Sequence, residues 1–268
     1  MMRLFLILFA LLLSFSCEDK EVIQDNPLDD DNPDYVPPSI SFVSGPTEGE
    51  TIADSDITFS WEGNDLVTEY RTKLDSGIWN NWSDVTTFIW QYLDEGAHQL
   101  SLQGRYDSGD TSDVVSVSFI VNAVQGPALI FYPRAITSSV GSNVTFQVMA
   151  EEVTNLTAAQ FNISFDPSKL EVLSINQGAM LQISGESIFD VDIDNSNGLV
   201  SVITAALGGN QPAVDGTGVL LELELKVNTA GTSTLEFDGT EIFRDPDLDD
   251  NEMPITERSI ENYVRLSQ

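Results

Sequence analysis

Residues 216–227 read G-T-G-V-L-L-E-L-E-L-K-V, and this stretch decides the fold class. After Gly218, apolar side chains alternate with Glu222, Glu224 and Lys226. A period of two residues puts one face of a β-strand in a core and the other face in water. The stretch therefore predicts a long antiparallel strand that covers one side of a β-sandwich.

The same alternation recurs along the chain, between clusters of Gly, Asn, Asp and Pro, and there is no sustained helical periodicity. This spacing is typical of all-β sandwiches. We therefore predict an all-β protein with one sandwich domain at 39–123 and a second at 124–268. The inward positions of three further strands are Ile57, Phe59 and Trp61; Val115, Val117, Phe119 and Val121; and Phe161, Ile163 and Phe165.

The charge balance limits the possible ligands. The chain has 268 residues, with 11 Lys and Arg against 43 Asp and Glu, and a formal net charge of −32. This field repels phosphates, which excludes nucleic acid as a partner, and it favours cations such as Ca²⁺. A single Cys and a single His exclude a disulfide framework and a Cys/His zinc cluster. A Ser-His-Asp triad would have to use His98, which we interpret as a structural histidine at the start of a strand.

The first 16 residues, M-M-R-L-F-L-I-L-F-A-L-L-L-S-F-S, predict a signal peptide. Their apolar run is too short to span a bilayer, for which about 20 residues are needed. Because Cys17 follows directly, the segment resembles a lipoprotein signal of the Bacteroidota, and Cys17 is then the lipidated residue. This resemblance implies a lipid anchor in the outer membrane, with the protein exposed at the cell surface. The alternative is an ordinary secretory leader that is cleaved elsewhere.

Residues 17–38 are acidic and rich in proline, and they contain few large apolar side chains. Such a segment cannot bury enough surface to form a domain. We therefore predict a linker between the anchor and the first sandwich.

The block 39–123 contains the segments F-S-W-E-G, Y-R-T-K-L-D-S-G-I-W-N-N-W-S and L-D-E-G-A-H-Q-L-S-L-Q-G-R-Y-D. These segments resemble the immunoglobulin-like or fibronectin type III-like modules of bacterial surface proteins. All four Trp residues lie in this block, so Trp79, Trp82 and Trp90 are candidates for stacking on sugar rings. The alternative is that they pack within the domain, as the aromatic residues of the resembling modules do.

The block 124–268 contains T-A-A-Q-F-N-I-S-F-D-P-S-K-L-E-V-L-S-I-N-Q-G, N-S-N-G-L-V-S-V-I-T-A-A-L and G-T-G-V-L-L-E-L-E-L-K-V. In their order and spacing these strings resemble the cohesin family. The resemblance implies a nine-stranded jelly-roll sandwich that binds the dockerin modules of polysaccharide-degrading enzymes. The alternation of side chains by itself predicts a sandwich only.

In cohesins the partner lies on the face of three strands, which correspond here to 157–166, 188–194 and 198–207. The first two strands alternate clearly, but L-V-S-V-I-T-A-A-L is apolar on both faces. We expect its outward residues to form an apolar centre within a polar rim, as is usual in a protein-binding patch. The predicted partner-binding residues are Ala158, Gln160, Asn162, Ser164, Asp190, Asp192, Val200, Val202, Thr204 and Ala206.

An acidic stretch near the carboxyl terminus, D-P-D-L-D-D-N-E at 245–252, is a candidate calcium site. Its carboxylates at alternate positions, Asp245, Asp247 and Asp249, could converge on one ion. The alternative is a solvated acidic hairpin, because the stretch lacks the Gly and Glu positions of an EF-hand loop.

The sequence as a whole therefore predicts a non-catalytic surface lipoprotein, in which the cohesin-like block binds a dockerin-type partner. The alternative function is direct binding of a polysaccharide by one of the sandwiches, which would require a flat, exposed row of aromatic rings. No segment resembles a glycosidase motif, so we expect no enzymatic activity.

Overall fold

The computed structural model describes residues 26–182, 186–207, 213–248, 252–253, 257–258 and 262–266. The predicted leader, 1–16, and the predicted lipidation site, Cys17, lie outside the described residues. The described residues form strands and turns, and none belongs to a helix that is long and apolar enough to cross a membrane. The prediction of an all-β fold is confirmed.

The first domain has seven strands in two sheets. Its strands are β1 (Ile40–Ser44), β2 (Glu50–Ile52), β3 (Ile57–Gly63), β4 (Glu69–Leu74), β5 (Thr87–Trp90), β6 (Gly96–Arg105) and β7 (Val115–Val121). The strand order is β1-β3-β5 in one sheet and β2-β7-β6-β4 in the other. One core lies between the sheets, and Phe59, Leu100 and Phe119 are almost completely buried in it.

The end of the predicted linker contacts this first domain. The Tyr106 hydroxyl donates a hydrogen bond of 2.7 Å to the carbonyl of Val36, and the Asn64 side chain donates one of 3.0 Å to Pro37. Asn32 is buried. The composition of this segment did not predict these contacts, which hold its last residues against the sandwich.

The second domain also consists of two sheets. Its strands are β8 (Ala128–Tyr132), β9 (Ala135–Ser138), β10 (Asn143–Leu156), β11 (Ala158–Phe165), β12 (Leu170–Gln177), β13 (Ser187–Asp194), β14 (Leu199–Ala206), β15 (Val214–Val227), β16 (Gly231–Phe237), β17 (Ile242–Arg244), β18 (Glu257–Arg258) and β19 (Asn262–Leu266). One sheet has the order β12-β15-β10-β8-β18, and the other has the order β13-β14-β11-β16-β19-β9, with β17 also paired to β11. The described residues of this domain form twelve strands, of which nine have five or more residues; the resemblance implied nine strands, and the two-sheet sandwich is confirmed.

The stretch 216–227 lies in β15, between β12 and β10 of the five-stranded sheet. Leu221, Leu223 and Leu225 point into the core, as their alternation predicts. Leu220 is also buried, because it is the extra residue of a β-bulge between the pairs Val148–Leu221 and Met149–Val219. A bulge lets two successive side chains point to the same side of a sheet.

Candidate functional site

The register of β14 with its two neighbours defines the candidate site. In this antiparallel arrangement, residues directly opposite one another point to the same side of the sheet. Val202 lies opposite Phe161 on β11 and Val191 on β13. The adjacent residue, Ile203, lies opposite Gln160 and Asp190, on the other side of the sheet.

Burial shows which side faces the core. Val202 is 1% exposed, whereas Ile203 is 43% exposed. Four predicted partner-binding residues are therefore wrong, because their side chains point inward: Val200, Val202, Thr204 and Ala206 are all buried. The prediction shifted this strand by one residue, and such a shift moves every side chain of a strand to the opposite face.

The outward residues of β14 and its neighbour β13 provide an apolar centre. Ile203 is flanked along β14 by Ser201 and Ala205, which are both half-buried, and Leu199 beyond Ser201 is 38% exposed. On β13, Ile188 lies opposite Ala205 and is 43% exposed. The apolar centre that we expected is thus present, but different residues form it.

The predicted polar rim has the expected orientation. Gln160, Asp190 and Asp192 are exposed, while Ala158, Asn162 and Ser164 are half-buried on the outward side of β11. We name the combined surface of these rim residues and Ile188, Leu199, Ile203 and Ala205 the outer face. It lies on three adjacent strands of the seven-stranded sheet.

The turn between β13 and β14 fixes one end of the outer face. Hydrogen bonds from the side chains of Ser196 and Asn197 lower the pKa of Asp194 from 3.8 to about 2, so this carboxylate is charged at neutral pH. Gly198 has a φ of +68°, and a Cβ at this position would clash with the carbonyl oxygen of Phe165. The Gly before β14 is therefore needed for the close approach of the turn to β11.

The candidate calcium residues are only partly described. Asp245 and Asp247 both accept hydrogen bonds from the Asn155 side-chain amide, at 2.6 and 2.9 Å, and Asp249 lies outside the described residues. Within the described ranges, three carboxylates come within 4.8 Å of one another only at Asp29, Asp30 and Asp31. The described contacts thus show a role for Asp245 and Asp247 in holding Asn155, and the calcium site stays a prediction.

The candidate sugar-stacking residues do not form a flat aromatic row in the described first domain. Trp90 packs against Phe59 and Trp61, with ring centroids 5.5 and 6.5 Å away. Trp79 and Trp82 each have two cationic side chains close to their rings. Stacking of a sugar would require a free aromatic face, so this geometry does not favour sugar stacking.

His98 has a structural position, as we interpreted it. Its Nδ1 lies 2.8 Å from Asp75 Oδ2, and its Nε2 lies 2.8 Å from the carbonyl oxygen of Asp94. Both ring nitrogens are therefore engaged with oxygen atoms of the same domain.

A buried arginine connects the two domains. Arg134, at the start of the second domain, is 5% exposed, and its Nη2 lies 3.6 Å from Glu95 Oε1 of the first domain. Its backbone N–H donates a hydrogen bond of 2.6 Å to Asp94. Glu95 also accepts hydrogen bonds from the backbone of Ala123 and Val124 in the connecting segment. Burial raises the pKa of both carboxyl groups, so the junction is partly shielded from water.

The second domain is thus a jelly-roll sandwich with an apolar, solvent-exposed centre on one sheet. Comparison with protein families gives a match to the cohesin domain over residues 133–261. This part of the chain is therefore a cohesin domain. Comparison with curated proteins gives no match.

Several solved structures resemble the same part of the chain. A type II cohesin domain from the cellulosome of Acetivibrio cellulolyticus has 18% identity and a TM-score of 0.45, covering 52% of this chain and 94% of that one. A non-cellulosomal cohesin from Archaeoglobus fulgidus has 20% identity and a TM-score of 0.42, covering 53% and 91%. A type I cohesin–dockerin complex from Clostridium thermocellum has 19% identity and a TM-score of 0.45, covering 52% and 98%.

Proposed function

We propose that the outer face binds a dockerin-type protein module, and that the chain acts as a non-catalytic receptor for this partner. The observation that carries the proposal is the exposed apolar centre at Leu199, Ile203 and Ile188, bordered by Gln160, Asp190 and Asp192. A fully buried apolar core within a polar rim is the usual composition of a protein interface. Membership of the second domain in the cohesin family supports the same kind of partner.

The outer face is suited to docking because its side chains are held by a rigid sheet. Ile203 projects from a strand that is paired on both sides, so its backbone is fixed before a partner arrives. Preorganised contact residues lose little conformational entropy on binding, which favours affinity.

The proposal extends to the location of the receptor. Lipidation at Cys17 would attach the chain to the outer membrane, with residues 17–38 as the connection to the first domain. The dockerin-type partner would then be held at the cell surface, where polysaccharide-degrading assemblies act. The Cys17 signal supports this part of the proposal, and the experiment on Cys17 in the Discussion tests it.

Ile203→Asp tests the outer face. A partner that covers Ile203 would bury an unpaired carboxylate in the variant, so binding should weaken by at least about 2 kcal/mol, roughly thirtyfold. The measurement is calorimetric titration of the full chain with dockerin modules encoded in the genome of the source organism.

Leu173→Asp is the matched control. Leu173 is 41% exposed, nearly the same as Ile203, but it lies on β12 in the other sheet of the domain. This control should bind the partner as the unmodified chain does. Equal affinity of the folded Ile203→Asp variant, or equal loss in both variants, would contradict docking on the outer face.

A further inference from the structure

A second polar surface lies on the first domain, on the outward side of β4 and β6. Five side chains contact one another there in the order Lys73, Trp79, Arg71, Trp82, Arg105, and we name them the cation column. Lys73 Nζ and Arg71 Cζ lie 5.2 and 4.7 Å from the centroid of Trp79. Arg71 Cζ and Arg105 Cζ lie 4.5 and 4.6 Å from the centroid of Trp82.

The sheet register explains this arrangement. Arg71 lies opposite Gln103, and Arg105 lies opposite Glu69. These two cross-strand pairs are two residues apart, which is about 7 Å along a strand. The indole of Trp82 therefore fits between the two guanidinium groups. Cation–π contact on a ring restricts the motion of a guanidinium group while its N–H donors remain directed to the side.

The charges on this surface differ from those of the whole chain. Strands β4, β6 and β7 contain three Lys and Arg residues and a single carboxylate, Glu69. Glu69 accepts a hydrogen bond of 2.6 Å from Arg105 Nε. In contrast, Arg71 donates from Nε and Nη2 to the uncharged Gln103 Oε1, at 3.0 and 2.6 Å.

Two cations of the column have no carboxylate partner among the described residues. In the described part of the chain, neither Arg71 nor Lys73 forms an ion pair within 4.0 Å. This is unexpected for a chain with 43 acidic residues. The neighbouring outward positions on β6 and β7 are uncharged; Gln99, Gln103, Ser116 and Ser118 are polar, and Ile120 is apolar and exposed.

We propose that the cation column and these neighbouring polar side chains bind an acidic polysaccharide. The carboxylate or sulfate groups of the sugar would contact Arg71 and Lys73, because charge-assisted hydrogen bonds to guanidinium and ammonium groups are strong. The sugar hydroxyls would exchange hydrogen bonds with Gln99 and Ser116. A protein partner is less suited to this surface, because charged side chains lie at its centre.

The attraction between the cation column and an acidic polysaccharide acts over a short range. The net charge of −32 repels a polyanion at a distance, but ionic screening limits this repulsion to about 8 Å at physiological ionic strength. Within that distance the local cations dominate. Binding should therefore be measured at about 0.15 M salt.

Affinity gel electrophoresis of the full chain tests the proposal. Gels contain polygalacturonate, a sulfated galactan, dextran or polyglutamate, so that they separate the effects of carboxylated sugar, sulfated sugar, neutral sugar and acidic peptide. We expect retardation by polygalacturonate, by the sulfated galactan or by both, and none by dextran. The paired substitution Arg71→Gln and Lys73→Gln should weaken this binding at least about tenfold.

The controls separate a binding role from a structural one. Lys169→Gln removes one positive charge from the second domain, as Lys73→Gln does from the first; Lys169 pairs with Asp166, and its substitution should leave the binding unchanged. Ile203→Asp should also leave it unchanged, because it affects the outer face only. Should the paired variant fail to fold by far-UV circular dichroism, binding by the Lys73→Gln variant alone decides, since Lys73 is not part of the core.

Three results would overturn the proposal. In the first, neither acidic polysaccharide retards the unmodified chain. In the second, the folded variants are retarded as strongly as the unmodified chain. In the third, polyglutamate retards the unmodified chain as strongly as the acidic polysaccharides do. The last result would assign the surface to an acidic peptide.

Discussion

Two adjacent residues of β14 should respond in opposite ways to the same substitution. In Val202→Asp, a side chain that is 1% exposed and lies between Phe161 and Val191 becomes a carboxyl group. The loss of valine burial removes about 1.5–3 kcal/mol, and an unpaired buried polar group adds about 2–7 kcal/mol. The sum is comparable with the whole stability of a domain, about 5–15 kcal/mol, so the cohesin domain should unfold.

Ile203→Asp should be tolerated. Ile203 is 43% exposed, so about half of its contribution from burial, roughly 1 kcal/mol, is lost. The new carboxylate also lies opposite Asp190, and this like-charge pair adds a few tenths of a kcal/mol, up to about 1 kcal/mol. The expected total of about 1–2 kcal/mol leaves a folded domain.

The positions of the tryptophans make the assay specific. All four Trp residues lie between positions 61 and 90, so their fluorescence reports on the first domain, whereas far-UV circular dichroism reports on both. In guanidinium titrations, Val202→Asp should retain the fluorescence transition and lose the part of the dichroism transition that belongs to the cohesin domain. A stable cohesin domain in Val202→Asp, together with an unfolded one in Ile203→Asp, would refute the register of β14.

Two further predictions concern the junction and the anchor. Arg134→Ala leaves Glu95 buried without its cation, which should destabilise the junction by on the order of 3 kcal/mol. The radius of gyration in small-angle X-ray scattering should then increase. An unchanged scattering curve would show that Arg134 does not hold the domains together. Cys17→Ala should move the protein from the membrane fraction to the soluble fraction or block its maturation, as immunoblotting of the fractions and mass spectrometry of acyl chains will show. Equal membrane retention of this variant would end the lipoprotein hypothesis.

The sequence is sufficient to predict the fold, because polar and apolar residues alternate in most strands and so identify the two faces of each strand. Gln160, Asn162 and Ser164 alternate with buried Phe161 and Ile163, and the structure confirms this assignment. The predicted limits of the three strands of the outer face also lie within one residue of the observed ones. Clear alternation of polar and apolar residues defines both the position and the orientation of a strand.

The orientation of β14 could not be read in the same way. Its residues from Leu199 to Leu207 are apolar on both faces apart from Ser201 and Thr204, which lie on opposite sides and give contradictory signals. Thr204 is completely buried, so polarity at that position is misleading. The orientation follows only from the pairing of β14 with two neighbours, which is information on tertiary structure.

The cation column was missed for a related reason. The sequence shows Trp79 and Trp82 close to two basic residues, but Arg105 is separated from them by more than 20 positions. It reaches Trp82 because β6 pairs with β4. The sequence composition therefore identified the tryptophan rings as candidates. The antiparallel pairing of β4 with β6 determines which cationic side chains contact them.

Strand β13 is an edge strand of the cohesin domain that is protected against pairing with other molecules. It forms one end of the seven-stranded sheet, where unpaired backbone N–H and C=O groups could recruit a strand from another molecule. Asp190, Asp192 and Asp194 recur along this strand, and charges of one sign on an edge oppose edge-to-edge pairing. Closely spaced copies of the protein would therefore repel one another along this edge instead of aggregating through it. We therefore expect a partner to bind the outer face through side-chain contacts, and not to extend the sheet by adding a strand next to β13.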